Sequence, residues 1–202
     1  MRNFFNSLSV GLSKTDEELM ELVKKNNQLA FRKLFDKYQG LLMGFVYGFV
    51  KNKEIAEELV QKSFMKLYDH RQSFDSSKKF KTWLWTIAKN NALDHIKKKK
   101  EQLLEDYLRP DQSGDFDIVG SIEDVNYNLI NMILEKETKQ YILNLLDKLP
   151  LDQREAIYLK FASDMSLKEI GEVMNKSEGA VKSLIFRGKK SLEKIIGESK
   201  NE

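Results

Sequence analysis

The side chains with the clearest chemical pattern in this 202-residue chain are cations. From Lys78 to Lys100 eight lysines stand against one acid, Asp94, and from Lys176 to Lys194 six bases stand against two acids. Between these stretches, from Glu101 to Asp124, eight acids face a single base, Arg109. The summed charge of +3 decides nothing, but its distribution predicts two separate contacts with a polyanion. Reaction chemistry has no comparable pattern. With no cysteine, thiolate metal sites and cysteine nucleophiles are excluded, and with only His70 and His95 a zinc enzyme would need carboxylate ligands that show no recognisable spacing. No glycine-rich phosphate cradle, nucleophile beside a base, or spaced carboxylate pair stands out. No catalytic residue, metal or cofactor is expected.

The cations must be held by helices. Apolar residues make up 41% and charged residues 32%, enough for a core and too apolar for a disordered tail. Two prolines and ten glycines are few for a sandwich of many turns, so the predicted class is all-α. No stretch reaches eighteen apolar residues without charge, and Met1 to Val10 lacks a leader pattern, which predicts a cytoplasmic, soluble protein with no membrane insertion.

Two helical modules and a linker are expected. Thr15 and Glu18 form a capping box, opening a first helix. A second runs over about 27–50 on an apolar stripe from Phe31 to Phe49, and a third over about 53–68 buries Ile55, Leu59, Phe64 and Leu67. Residues 70–79 read as a loop, and a helix follows from Lys79 to at least Ile96. Trp83 and Trp85, two apart, cannot share a helix face; Trp83 is assigned to the core and Trp85 is divided between core and DNA. Residues 101–120 read as a flexible acidic linker between a first module at 14–100 and a second at 121–196, with a helix from Ser121 to Leu149 before Pro150. The modules are expected to fold independently, mobile until partners fix their separation; an interface masking both DNA surfaces is the alternative.

In the second module a helix over about 152–162 precedes two short helices. Ser166 and Glu169 make another capping box, and after Asn175 and Lys176, Ser177 starts a helix whose exposed side carries Glu178, Gly179, Lys182, Ser183, Arg187 and Lys190. That is a helix-turn-helix pattern. Its first residues can enter a major groove and its later cations can meet phosphates.

Three stretches then resemble a known family. They are Ala56-Glu57-Glu58-Leu59-Val60-Gln61-Lys62-Ser63-Phe64; Phe80-Lys81-Thr82-Trp83-Leu84-Trp85-Thr86-Ile87-Ala88-Lys89-Asn90-Asn91-Ala92-Leu93-Asp94; and Ser166-Leu167-Lys168-Glu169-Ile170-Gly171 with Ser177-Glu178-Gly179-Ala180-Val181-Lys182-Ser183. In this order they resemble the bacterial RNA polymerase sigma-70 factors, specifically the two-domain extracytoplasmic-function group. The resemblance implies an alternative sigma factor that binds core RNA polymerase, recognises promoter DNA as duplex and as melted non-template strand, promotes strand opening, and carries out no reaction of its own. An anti-sigma factor is a further partner the resemblance allows.

Laid over the residues, it assigns Glu57, Glu58, Gln61, Lys62 and Met65 to the polymerase. Capture and melting of the minus-ten element fall to Ser73, Asp75, Ser76, Lys79, Lys81, Trp85, Lys89, Asn90, Lys97 and Lys98. The minus-thirty-five duplex falls to Ser177, Glu178, Gly179, Lys182, Ser183, Arg187 and Lys190. Ala180, Leu184 and Gly188-Lys189 depart from the family's usual threonine, arginine and Ala-Arg, so the promoter sequence does not carry over. A stand-alone helix-turn-helix repressor or activator and an inactive sigma-like protein are the alternatives.

Overall fold

The computed structural model describes residues 14–107 and 144–198, and their regular secondary structure is helical. In chain order the helices are α1 (Asp16–Lys24), α2 (Gln28–Val50), α3 (Lys53–Asp69), a 3₁₀ turn at Arg71–Ser73, α4 (Phe80–Tyr107), α5 (Leu151–Phe161), α6 (Leu167–Met174) and α7 (Glu178–Glu198). Among the described residues no helix is long and apolar enough to cross a membrane.

The helix starts follow side-chain chemistry. Thr15 Oγ1 accepts from the Glu18 amide at 3.2 Å while Glu18 Oε2 accepts from the Thr15 amide at 2.8 Å. Asn27 and Asn52 cap α2 and α3 by accepting from the Ala30 and Ile55 amides, each at 2.9 Å. The first half packs α1, α2, α3 and the start of α4 around Leu34, Tyr38, Leu42, Phe64, Leu67, Phe80 and Leu84, all nearly inaccessible. Buried Asn91 on α4 donates to Ser63 Oγ at 2.9 Å, and Ser63 donates to the Leu59 carbonyl at 2.6 Å, so a polar relay ties α4 to α3.

Four sequence expectations change. First, α4 continues through Tyr107, so residues 101–107 are helical where a linker is expected; Glu101, Gln102, Leu103 and Leu104 are good helix formers, and Glu101 follows Lys97 by one turn at 3.8 Å. Residues 108–143 lie outside the described residues; of the helix expected over 121–149, residues 144–147 are helical and 148–149 form a turn before Pro150. Second, the loop after α3 is anchored: Phe74 is 4% exposed, its ring against Phe80 and Trp83 at 6.2 and 5.2 Å. Third, the tryptophans exchange roles. Trp85 is fully buried, edge-on to Tyr38 at 5.4 Å, while Trp83 is only partly covered. The buried stripe through Leu84, Ala88 and Ala92 sets the helix phase: position 85 lies beside it, and position 83 lies on the far flank, against Phe74.

Fourth, the two helical domains pack against each other where independent mobility is expected. Their buried apolar residues form one continuous cluster, with α5 against α2 and α6 against α4. Tyr158 donates to the Leu41 carbonyl at 2.8 Å, Arg154 Nη1 donates to the Gly48 carbonyl at 2.8 Å, and Lys51 pairs with Asp147. Being packed from both sides explains why five consecutive residues of α5, Glu155 to Leu159, are buried.

Candidate nucleic-acid interface

The helix-turn-helix is built by α6 and α7. Ser166 and Glu169 close a capping box, with the Ser166 amide and hydroxyl donating to Glu169 Oε2 at 2.8 and 2.7 Å. Desolvation opposes ionisation of Glu169, but the Ser166 hydrogen bonds and the nearby Lys81 and Lys79 hold its carboxyl below its ordinary range. Asn175 then takes the left-handed conformation, φ 53°, to end α6. Ser177 Oγ accepts from the Ala180 amide at 3.3 Å and starts α7.

The turn needs Gly171. A Cβ there would meet the Lys176 carbonyl oxygen at 2.7 Å, so the recognition helix lies as close as it does because position 171 has no side chain. Gly171→Ala should therefore destabilise the protein by about 1–2 kcal/mol, overpacking outweighing the gain in helix propensity. Urea denaturation followed by far-UV circular dichroism reads this as a lower midpoint; an unchanged or higher midpoint would show that the turn has slack.

All seven residues assigned to this helix, Ser177, Glu178, Gly179, Lys182, Ser183, Arg187 and Lys190, are exposed. Ser183 Oγ donates to the Gly179 carbonyl at 3.0 Å, and Lys190 Nζ sits 4.9 Å from the centre of the Phe186 ring, itself 59% exposed. Two of the departures from the family pattern acquire a reason. Leu184 is 8% exposed, part of the packing surface, and a Cβ at Gly188 would meet Ile157 Cγ1 at 2.9 Å, so Gly188 lets α7 approach α5.

On α3, Glu58, Gln61, Lys62 and Met65 are exposed and Glu57 is half-buried. Met65 is 66% exposed, a large apolar side chain inside this charged face.

The residues assigned to the minus-ten element divide into two groups. Ser73, Asp75, Ser76, Lys79, Asn90, Lys97 and Lys98 are exposed. Within the loop, Asp75 accepts from the Ser77 hydroxyl at 2.8 Å and its amide at 3.0 Å, and these two bonds hold its carboxyl below the ordinary range. Lys81, Trp85 and Lys89, each one turn apart on α4, are covered instead. Lys81 Nζ donates to the Ser163 carbonyl at 2.8 Å, and Lys89 pairs with Glu155 at 2.7 Å. Assigning Trp85 to DNA thus meets a correction: its indole presents no surface in this arrangement.

Comparison with known proteins agrees with this geometry. Residues 34–102 match the Sigma-70 region 2 family model and residues 139–192 the Sigma-70, region 4 model. The ECF RNA polymerase sigma factor SigW of Bacillus subtilis is 34% identical over 182 residues, an alignment covering 86% of this chain and 92% of that protein. The ECF RNA polymerase sigma-E factor of Escherichia coli K12 is 30% identical, covering 90% and 94%. The fold is shared with CnrH, solved in complex with the cytosolic domain of CnrY, at a TM-score of 0.63 and 20% identity over 90% of this chain and 97% of that one. It is shared too with the sigma factor RpoE of Bartonella quintana, solved with the anti-sigma factor NepR, at 0.62 and 23% over 83% and 96%. A match to region 2, a match to region 4 carrying the helix-turn-helix, and 34% identity to SigW over 92% of its length together mean that the chain belongs to the extracytoplasmic-function group of the RNA polymerase sigma-70 family.

Proposed function

We propose that this sigma factor divides its work among three surfaces: the α3 face from Glu57 to Met65 docks on core RNA polymerase, the loop 70–79 with α4 captures the melted minus-ten strand, and α7 reads the minus-thirty-five duplex. The observation that carries this is the separation of two chemically different basic surfaces. The exposed start of α7 offers a groove-sized helix face, whereas a loop of short polar side chains leads through exposed Lys78 and Lys79 into α4, whose exposed lysine run at 97–100 lies about 26 Å further along the same helix. Opening draws on binding energy: groups that hold unpaired bases better than paired ones shift the duplex toward the bubble. The reaction belongs to the polymerase and this chain contributes none, working in the cytoplasm where polymerase and promoter are. CnrH and RpoE each appear with a protein partner, which supports an anti-sigma factor as a partner here also.

Titration of the labelled chain with purified core enzyme tests the reading. Wild type should bind, and the double substitution Glu58→Lys with Gln61→Lys should weaken binding about tenfold with helical content unchanged, since both side chains are exposed and reversing charge on a docking face repels its partner. Equal affinity of the two proteins would remove α3 from the interface. Failure of wild type to bind would instead favour a stand-alone helix-turn-helix regulator.

A further inference from the structure

The loop between α3 and α4 is held by more than its two ends. At its entry Arg71 Nη1 donates to the Tyr68 carbonyl and Nη2 to Asn26 Oδ1, both at 2.8 Å, with the guanidinium carbon 4.2 Å from the centre of the Tyr68 ring. Gln72 Nε2 donates to the Lys24 carbonyl at 2.8 Å, and buried Phe74 has Lys24 Nζ 5.6 Å from its ring centre. At its exit Glu17 Oε1 accepts from the Phe80 amide at 3.2 Å, so an acid of α1 caps α4. These contacts tie the loop to α1 and the turn behind it, and they leave Asp75, Ser76, Ser77, Lys78 and Lys79 exposed. Asn26 is the most informative of the anchors. It takes φ 60° just past the C-cap of α1, where its amide and that of Asn27 donate to the Val23 and Leu22 carbonyls at 2.9 and 3.0 Å. Glycine is the usual residue at such a left-handed position because it has no Cβ to strain. Here the position carries a side chain instead, and its amide oxygen is engaged by Arg71.

We propose that Asn26, Arg71 and Gln72 are positioning residues for strand capture: they hold the loop 70–79 in one shape before the strand arrives, so that the short polar side chains beyond Phe74 meet an unpaired base already in place. The proposal rests on the reading of that loop as the minus-ten capture segment. It extends the capture machinery to α1 and Asn26, which precede residues 34–102 matched to region 2. A loop without these anchors would be ordered only by the strand, and the conformational entropy lost in that ordering would be subtracted from affinity. The deficit falls on base selectivity more than on total binding. Attraction of phosphates to Lys78 and Lys79 depends on charge, whereas hydrogen bonds to base edges depend on where each loop side chain stands.

Asn26→Gly separates this role from plain support of the fold. It removes the acceptor and relieves the left-handed strain, so the thermal midpoint of the full chain should hold or rise while the amides of residues 72–78 exchange about fivefold faster. Gln72→Met, of similar length but without the donor, is an independent second variant expected to do the same to the loop. Asn26→Asp keeps an acceptor toward Arg71 and should behave as wild type. Each protein is assembled with purified core polymerase and offered a random-sequence pool of twelve-nucleotide DNA single strands; bound strands are quantified and sequenced, with core alone as background. Wild type should enrich one short motif. Asn26→Gly and Gln72→Met should lower that enrichment about tenfold with total strand binding within about twofold, and Asn26→Asp should keep it. Unchanged loop exchange or unchanged enrichment in both variants, or loss of enrichment in Asn26→Asp as well, would overturn the positioning role. The double variant Ser76→Ala with Lys79→Ala tests the reading beneath it. Enrichment kept there, or no motif with wild type, would remove the loop from strand capture and the positioning role with it; enrichment lost there but kept in Asn26→Gly and Gln72→Met would overturn the positioning role alone.

Discussion

Replacing Lys182, Ser183 and Arg187 together with alanine should lower the affinity of polymerase-bound sigma factor for the upstream duplex by about 100-fold, while stability and binding to core stay unchanged. All three side chains are exposed on the first three turns of α7, so their removal uncovers no core. Among the described residues Ser183 and Arg187 donate to carbonyls of their own helix, Gly179 and Ser183, bonds that DNA can replace. A good bidentate base contact contributes about 1–3 kcal/mol of discrimination and a phosphate contact less, so three losses amount to roughly the 2.7 kcal/mol of a 100-fold change. Footprinting over the minus-thirty-five element at fixed salt measures it. A loss under threefold would mean that Leu184 and Gly188 mark a recognition helix that no longer reads sequence.

How much of this was legible follows from what each feature depends on. Capping boxes at Thr15 and Ser166 and the apolar stripe of α2 are local chemistry, and the structure places them where the sequence does. The α7 site was equally legible, because an exposed helix face needs only the helix phase and the buried Val181 and Leu184 to define it. The tryptophan pair was not. Helical geometry states that Trp83 and Trp85 diverge but not which one meets Tyr38, a residue 47 positions away from Trp85. Phe74, in a segment with no apolar period, gave no periodic signal at all.

The contact between halves illustrates the other kind of omission. Gly40, Gly44 and Gly48 recur every four residues inside an otherwise strongly apolar helix, a costly pattern that calls for a close neighbour. Gly44 and Gly48 meet Tyr158 and Arg154, whereas Gly40 has nothing nearby. The spacing was visible; its partner, more than a hundred residues on, was not. Glu155 likewise has its partner, Lys89, 66 positions earlier, beyond the reach of any local pattern.

The second large effect concerns strand opening, and the contact between the halves decides which residues give a clean test. Lys81 and Lys89 are engaged by Ser163 and Glu155, so replacing them changes the free protein's conformation as well as any DNA contact. Asn90, Lys97 and Lys98 are exposed on α4, and Lys97 has Glu101 at 3.8 Å on the surface. Alanine at all three should reduce open-bubble formation about 30-fold with polymerase saturating, while upstream duplex affinity falls less than threefold. The two lost lysines should also flatten the dependence of log K on log salt by about 1.4 to 1.8, as release of fewer counterions requires. The physical distinction is that reading a duplex needs a helix face shaped to a groove, whereas opening needs groups that favour the unpaired strand. A fluorescent base in the minus-ten element reports opening and footprinting reports upstream contact on the same promoter. If the α4 and α7 substitutions lowered both signals in the same proportion, the cations would be acting as general phosphate attractors, and the division between upstream reading and strand capture would be lost.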